Sequence, residues 1–79
     1  MRIYISNLNV MTTTRHLTNL FFEFGRVISA KVVSDDKTGI SMGYGYVEME
    51  RRTGELAIEK LNSLYFMARY LFMREASLD

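Results

Sequence analysis

Three tyrosines and a phenylalanine, Tyr4, Tyr44, Tyr46 and Phe72, fall at alternate positions of segments that read as β-strands. Three cations, Arg2, Lys31 and Arg74, fall at equivalent positions beside them. Gathered on one face of a sheet, these residues would make a flat aromatic surface with positive side chains around it. Planar rings offer π-faces to unstacked nucleobases, and guanidinium or ammonium groups can meet the phosphates between them. Each stacked base contributes about 1–3 kcal/mol, so two or three rings give useful affinity without a large charge. The distinction matters here, because the 79 residues carry a net charge of only +1. Overall charge alone does not point to a polyanionic partner.

Other chemistries find little support. There is no cysteine, so neither a disulfide nor a thiolate metal site can form, and His16 is the only histidine. His16 reads as a surface residue, offset from the apolar stripe of its helix. Asp35 and Asp36 sit with Lys37 in a turn, where polar residues need no function. No carboxylate or nucleophile has the spacing of a catalytic pair. The expectation is a binding protein with no cofactor and no enzymatic activity. No apolar run approaches the roughly 20 residues that cross a bilayer, and the alternating N-terminus has no signal-peptide apolar stretch. A cytoplasmic protein with no membrane contact is the simplest reading.

The elements that would position the candidate residues follow from periodicity. With 48% apolar and 24% charged residues, the 79-residue chain has the composition of one small globular domain, 1–79. Residues 2–6 alternate, with Ile3 and Ile5 on one side and Arg2, Tyr4 and Ser6 on the other, as in a half-buried strand. Thr12, Thr13 or Thr14 could cap the helix that follows. Its Leu17, Leu20, Phe21 and Phe24 fall at i, i+3, i+4 and i+7, and Gly25 is a stop signal. Residues 27–33 are β-branched and read as a second strand. A polar connection ending at Gly39 leads to a third strand over 42–49. A second helix is expected over 53–62, with Ala57, Ile58 and Leu61 as its stripe, despite Gly54. Residues 70–75 alternate as a fourth strand. The order β-α-β-β-α-β predicts an α+β, ferredoxin-like sandwich, a four-stranded antiparallel sheet with two helices on one face.

Alternation then assigns the faces. Leu71 and Met73 point inward, which sends Phe72 and Arg74 outward. In the third strand Gly43, Gly45, Val47 and Met49 share one side, and Met42, Tyr44, Tyr46 and Glu48 the other. Glycine on the inner side lets a helix approach, so Tyr44 and Tyr46 join Tyr4 on the open face. An exposed apolar patch of this kind marks an interaction surface.

At these residues the chain resembles a known family. Ile3-Tyr4-Ile5-Ser6-Asn7-Leu8 resembles the RNP2 hexamer of the RNA recognition motif. Met42-Gly43-Tyr44-Gly45-Tyr46-Val47-Glu48-Met49 resembles its RNP1 octamer, K/R-G-F/Y-G/A-F-V-x-F/Y. Leu20-Phe21 and Phe24-Gly25, Ala57-Ile58 and Leu61-Asn62 extend the resemblance over the chain, and Phe66-Met67-Ala68-Arg69 resembles small bacterial single-domain members. The resemblance implies that Tyr4 stacks one base, that Tyr46 stacks its neighbour and that Tyr44 packs between two riboses. It also implies RNA contacts from Lys31, Val33, Phe72 and Arg74 on the outer strands. The partner it implies is single-stranded RNA, with single-stranded DNA as a second possibility, bound by a protein expected to be a monomer. Two positions depart from the pattern. Met42 replaces the basic residue that meets a phosphate, and Met49, expected to face inward, replaces the last aromatic.

Two other functions compete. A protein-interaction module of the same fold would use the aromatic face, or Phe22, which lies off the apolar stripe of the first helix. An acylphosphatase-type enzyme would need an anion-cradling loop after the first strand. Asn7-Leu8-Asn9-Val10-Met11 offers neither glycine nor arginine there. Arg51 and Arg52 read as a solvated turn after the third strand, with a phosphate contact at the sheet edge as the lesser reading. Tyr65 and Phe66 read as capping the edge of the core.

Overall fold

The computed structural model describes residues 1–76. Eight elements follow in order: β1 Arg2–Ser6, α1 Thr14–Phe22, β2 Val27–Ser34, β3 Ser41–Met49, α2 Arg51–Leu61, β4 Tyr65–Phe66, β5 Arg69–Tyr70 and β6 Phe72–Glu75. Four strands form an antiparallel sheet in the order β2-β3-β1-β6, and β4 pairs with β5 in a separate small ribbon. The two helices cover one face, α1 over β2 and β3, α2 over β1, β3 and β6. This is the ferredoxin-like arrangement that the periodicities predict.

The core lies between that face and the helices. Ile3 and Ile5 of β1, Val47 and Met49 of β3, and Leu71 and Met73 around β6 meet Leu17 and Phe21 of α1 and Ala57 and Leu61 of α2. Leu20 and Phe24 pack against its edge, whereas Phe22 points to solvent. Gly45 is required by packing. A Cβ there would strike the Lys31 carbonyl oxygen and crowd the Leu17 side chain at 3.2 Å. Gly54, unfavourable in a helix by about 1 kcal/mol, is buried under the Met1 side chain, which a Cβ there would displace.

Of the three candidate threonines, Thr13 caps α1. Its hydroxyl accepts from the His16 backbone N–H at 3.2 Å, and its own N–H donates to His16 Nδ1 at 2.9 Å. His16 is therefore half of a capping box and lies edge-on to Phe66, a structural role beyond that of a surface residue. The β2–β3 connection is closed by Asp35, whose carboxylate accepts from the Lys37 and Thr38 N–H groups at 2.8 and 2.9 Å.

Two boundaries differ from expectation, and one strand is irregular. α2 starts at Arg51 rather than at residue 53, so Arg51 and Arg52 form its first turn and not a loop. Glu50 at its N-cap makes no side-chain bond, which removes the usual sequence signal. The expected strand over 70–75 is broken at Leu71: Tyr70 belongs to the β4–β5 ribbon, and only Phe72–Glu75 joins the sheet. β2 carries register shifts between Val27 and Ser29 and between Val32 and Ser34. The first leaves Ile28 exposed; near the second, the Thr14 hydroxyl accepts the Val32 N–H at 3.3 Å.

Candidate nucleic-acid interface

The antiparallel registers build the open face in rows that cross the sheet. Tyr4 of β1 is opposite Tyr46 of β3 on one side and Arg74 of β6 on the other, and Tyr46 is opposite Lys31 of β2. One row thus reads Lys31, Tyr46, Tyr4, Arg74, two rings between two cations. The next row places Ser6 between Tyr44 and Phe72. On the other side, Glu48 lies between Ser29 and Arg2. Cross-strand neighbours sit about 5 Å apart, so the rings must touch.

They do, as a tilted cluster. The Tyr4 ring centre is 5.7 Å from that of Tyr44 and 5.6 Å from that of Tyr46, and Tyr44 meets Tyr46 edge-on at 6.2 Å. The rings shield one another and are half-buried rather than fully exposed. Arginines attend the two rings of the central row. The Arg74 guanidinium carbon is 4.7 Å from the Tyr4 ring centre, and that of Arg2 is 5.5 Å from the Tyr46 ring centre. Both lie within cation–π range. Together these residues line a shallow basin of about 390 Å³.

Seven of the eight candidate residues thus fall into these rows. Arg2, Tyr4, Tyr46, Lys31 and Arg74 cluster, and Tyr44 and Phe72 follow in the adjacent row. Val33 sits in the register shift of β2 and is half-buried. Met42 is exposed at the start of β3, and Met49 is fully buried.

The structure corrects two expectations. Arg51 is not poised for a phosphate at the sheet edge. It donates to Glu75 at 2.7 and 3.2 Å and to Glu55 at 3.5 Å. Glu75 pairs in register with the inward Ile3. That ion pair joins β6 to α2 and holds the Glu75 carboxyl below the ordinary glutamate range. Tyr65 does not cap the core: it is exposed and faces Tyr70 across the ribbon, while Phe66 does pack against the core.

Glu48 on the open face was not singled out by sequence reasoning. Its carboxylate accepts from the Ser29 hydroxyl at 2.9 Å. Outward alternation in β3 was the available signal. The anchoring of the ribbon left no signal in the sequence. Asn7, with a left-handed φ of 64°, accepts from Arg69 at 2.7 and 3.1 Å and donates to the Tyr70 carbonyl at 2.8 Å. Among the described residues no group of histidines and carboxylates could hold a metal ion.

Residues 3–71 match the RNA recognition motif family. The chain belongs to that family. Among similar proteins, RbpE of Nostoc is 38% identical over 77 residues, covering 96% of this chain and 78% of RbpE. In the 28 kDa chloroplast ribonucleoprotein of spinach the match is 50% identical over 48 residues, 61% of this chain but only 21% of that protein. The crystal structure of RNA binding protein PG1 superposes with a TM-score of 0.95 at 41% identity, covering all of this chain and 95% of that one. The Rna15 RNA recognition motif with bound RNA superposes with a TM-score of 0.86 at 26% identity, over 96% of this chain and 82% of that one. Among the described residues no helix is long and apolar enough to cross a membrane.

Proposed function

We propose that this RNA recognition motif binds single-stranded RNA on the open face of its sheet. The observation that carries the proposal is the cross-strand row Lys31, Tyr46, Tyr4, Arg74, in which two neighbouring rings stand between two cations. Neighbouring bases stack on Tyr4 and Tyr46, while Lys31, Arg74 and Arg2 meet the intervening phosphates. Tyr44 packs against riboses, and Phe72 and Val33 extend the contact toward the two outer strands. A duplex hides its base faces, so stacking of this kind selects unpaired strands. A binding module acting as a monomer, with no catalysis and no cofactor, accounts for this surface. The cysteine-free sequence is compatible with a cytoplasmic setting.

Titration with mixed-sequence RNA and DNA oligonucleotides, followed by backbone amide NMR, tests the proposal. The expected result is a set of shifts centred on β1 and β3, larger with RNA than with DNA. A second reading, a protein-docking module, is favoured by Phe22, which is 67% exposed on α1. No response to either oligonucleotide would overturn the RNA reading and leave this one.

A further inference from the structure

The aromatic surface does not stop at the edge of the sheet. Tyr65 and Tyr70 face each other across the β4–β5 ribbon with ring centres 4.9 Å apart. They remain 60% and 59% exposed. Along the chain from the ribbon into β6, Tyr70 is exposed, Leu71 is fully buried and Phe72 is 54% exposed. Tyr70 and Phe72 thus flank one buried residue at the junction of ribbon and sheet. Phe72 in turn stands next to Ser6 in the row that contains Tyr44. The exposed Tyr65–Tyr70 pair therefore directly adjoins, along the chain, the β6 end that carries Phe72.

The ribbon is also held in a fixed place relative to the face. A two-stranded ribbon is marginal by itself. This one is tied to the end of β1 by the Asn7–Arg69 and Asn7–Tyr70 bonds, and by Asn9 Nδ2, which donates to the Met67 carbonyl at 2.9 Å. The charge pattern suits a polyanion. From Asn62 to Met73 there is no acidic residue, and Arg69 is the one charged side chain. A pairing role inside the ribbon accounts for the contact between the two rings, but not for their exposure.

We infer that the Tyr65–Tyr70 pair is an additional stacking site for the same RNA strand, engaged by nucleotides that run past Phe72. The inference rests on the proposed binding of RNA to the open face. It predicts a length dependence. Mixed-sequence RNA of about four nucleotides fills the sheet rows, whereas about eight nucleotides also reach the ribbon. Lengthening the RNA tightens binding to the parent protein about tenfold, the worth of one further stacked base. Amides of residues 64–72 shift only with the longer RNA. The double variant Tyr65→Ala/Tyr70→Ala loses the tenfold gain while keeping its affinity for the short RNA, and Tyr65→Phe/Tyr70→Phe retains both.

If β1 and β3 respond to both lengths while the ribbon amides stay silent, the inference is overturned and the open-face reading stands. If neither region responds, both fail. The amide measurement uses the parent protein, so it decides the question even where the alanine variant does not fold.

Discussion

Tyr4 and Tyr46 differ from the other large side chains of β1 and β3 in what they touch. Ile3, Ile5 and Val47 lie in the core, whereas the two tyrosines lie on the open face against each other, Tyr44 and two arginines. Stacking uses the ring and not the hydroxyl, so Tyr4→Phe and Tyr46→Phe should bind RNA within about twofold of the parent, as measured by fluorescence anisotropy. Tyr44→Ala should weaken binding by about 1 kcal/mol, and by less on DNA if its ring packs against riboses. Ile5→Ala is the contrast, with an expected loss of about 2–5 kcal/mol of stability in urea unfolding and an effect on binding only through unfolding. Glu75 invites a pH test. Arg51 holds its carboxyl below the ordinary range, so the pair contributes stability above the unfolded glutamate value and loses it as pH falls through the lowered one. Glu75→Gln should be less stable than the parent at neutral pH, and the gap should close in acid; a gap that persists in acid would assign the effect to packing. The aromatic and cationic side chains of the face were legible in the sequence because outward positions of a half-buried strand alternate with apolar ones. The fate of Arg51 was not, because its carboxylate partner lies 24 residues away on another element.

At the scale of elements, the four sheet strands and two helices follow from period, since each has one face that must be buried. The start of α2 and the β4–β5 ribbon escaped the same reading for specific reasons. Arg51 and Arg52 look like a polar strand end, and Glu50 supplies no capping bond. The ribbon turns at Met67 and Ala68, which have left-handed φ values of 50° and 68°. Two such residues in succession suit a two-residue hairpin turn, but that turn ordinarily announces itself by Asn-Gly or Asp-Gly. Alternation through Leu71 also continues unbroken from ribbon to sheet, which hides the break between them. The left-handed conformation costs a non-glycine residue about 1–2 kcal/mol. Glycine recovers this and loses about 0.4–1 kcal/mol through its freer unfolded chain. Ala68→Gly should therefore raise stability by roughly 0.5–1 kcal/mol in urea melts. A loss would mean that the alanine methyl makes contacts that outweigh the strain.

The whole molecule carries little net charge, and its RNA affinity is expected to depend more on stacking than on counterion release. Arg2, Lys31 and Arg74 are the cations of the central rows, and Arg51 is taken up by Glu75 and Glu55. At about −0.7 per neutralised phosphate, three contacts give a logarithmic salt slope of roughly −2. Met42, exposed at the start of β3, occupies the position of the usual cation, and Met42→Arg should steepen the slope and tighten binding. An unchanged slope would mean that the backbone does not pass that strand end. The central claim is stacking on two neighbouring rings, and one measurement meets it most directly: the RNA affinity of Tyr4→Ala/Tyr46→Ala, with its fold checked by circular dichroism and urea unfolding. The account predicts a folded protein of near-parent stability whose binding is weaker by about 2–6 kcal/mol, twice the worth of one stacked base. A folded double variant that binds RNA as tightly as the parent would contradict it.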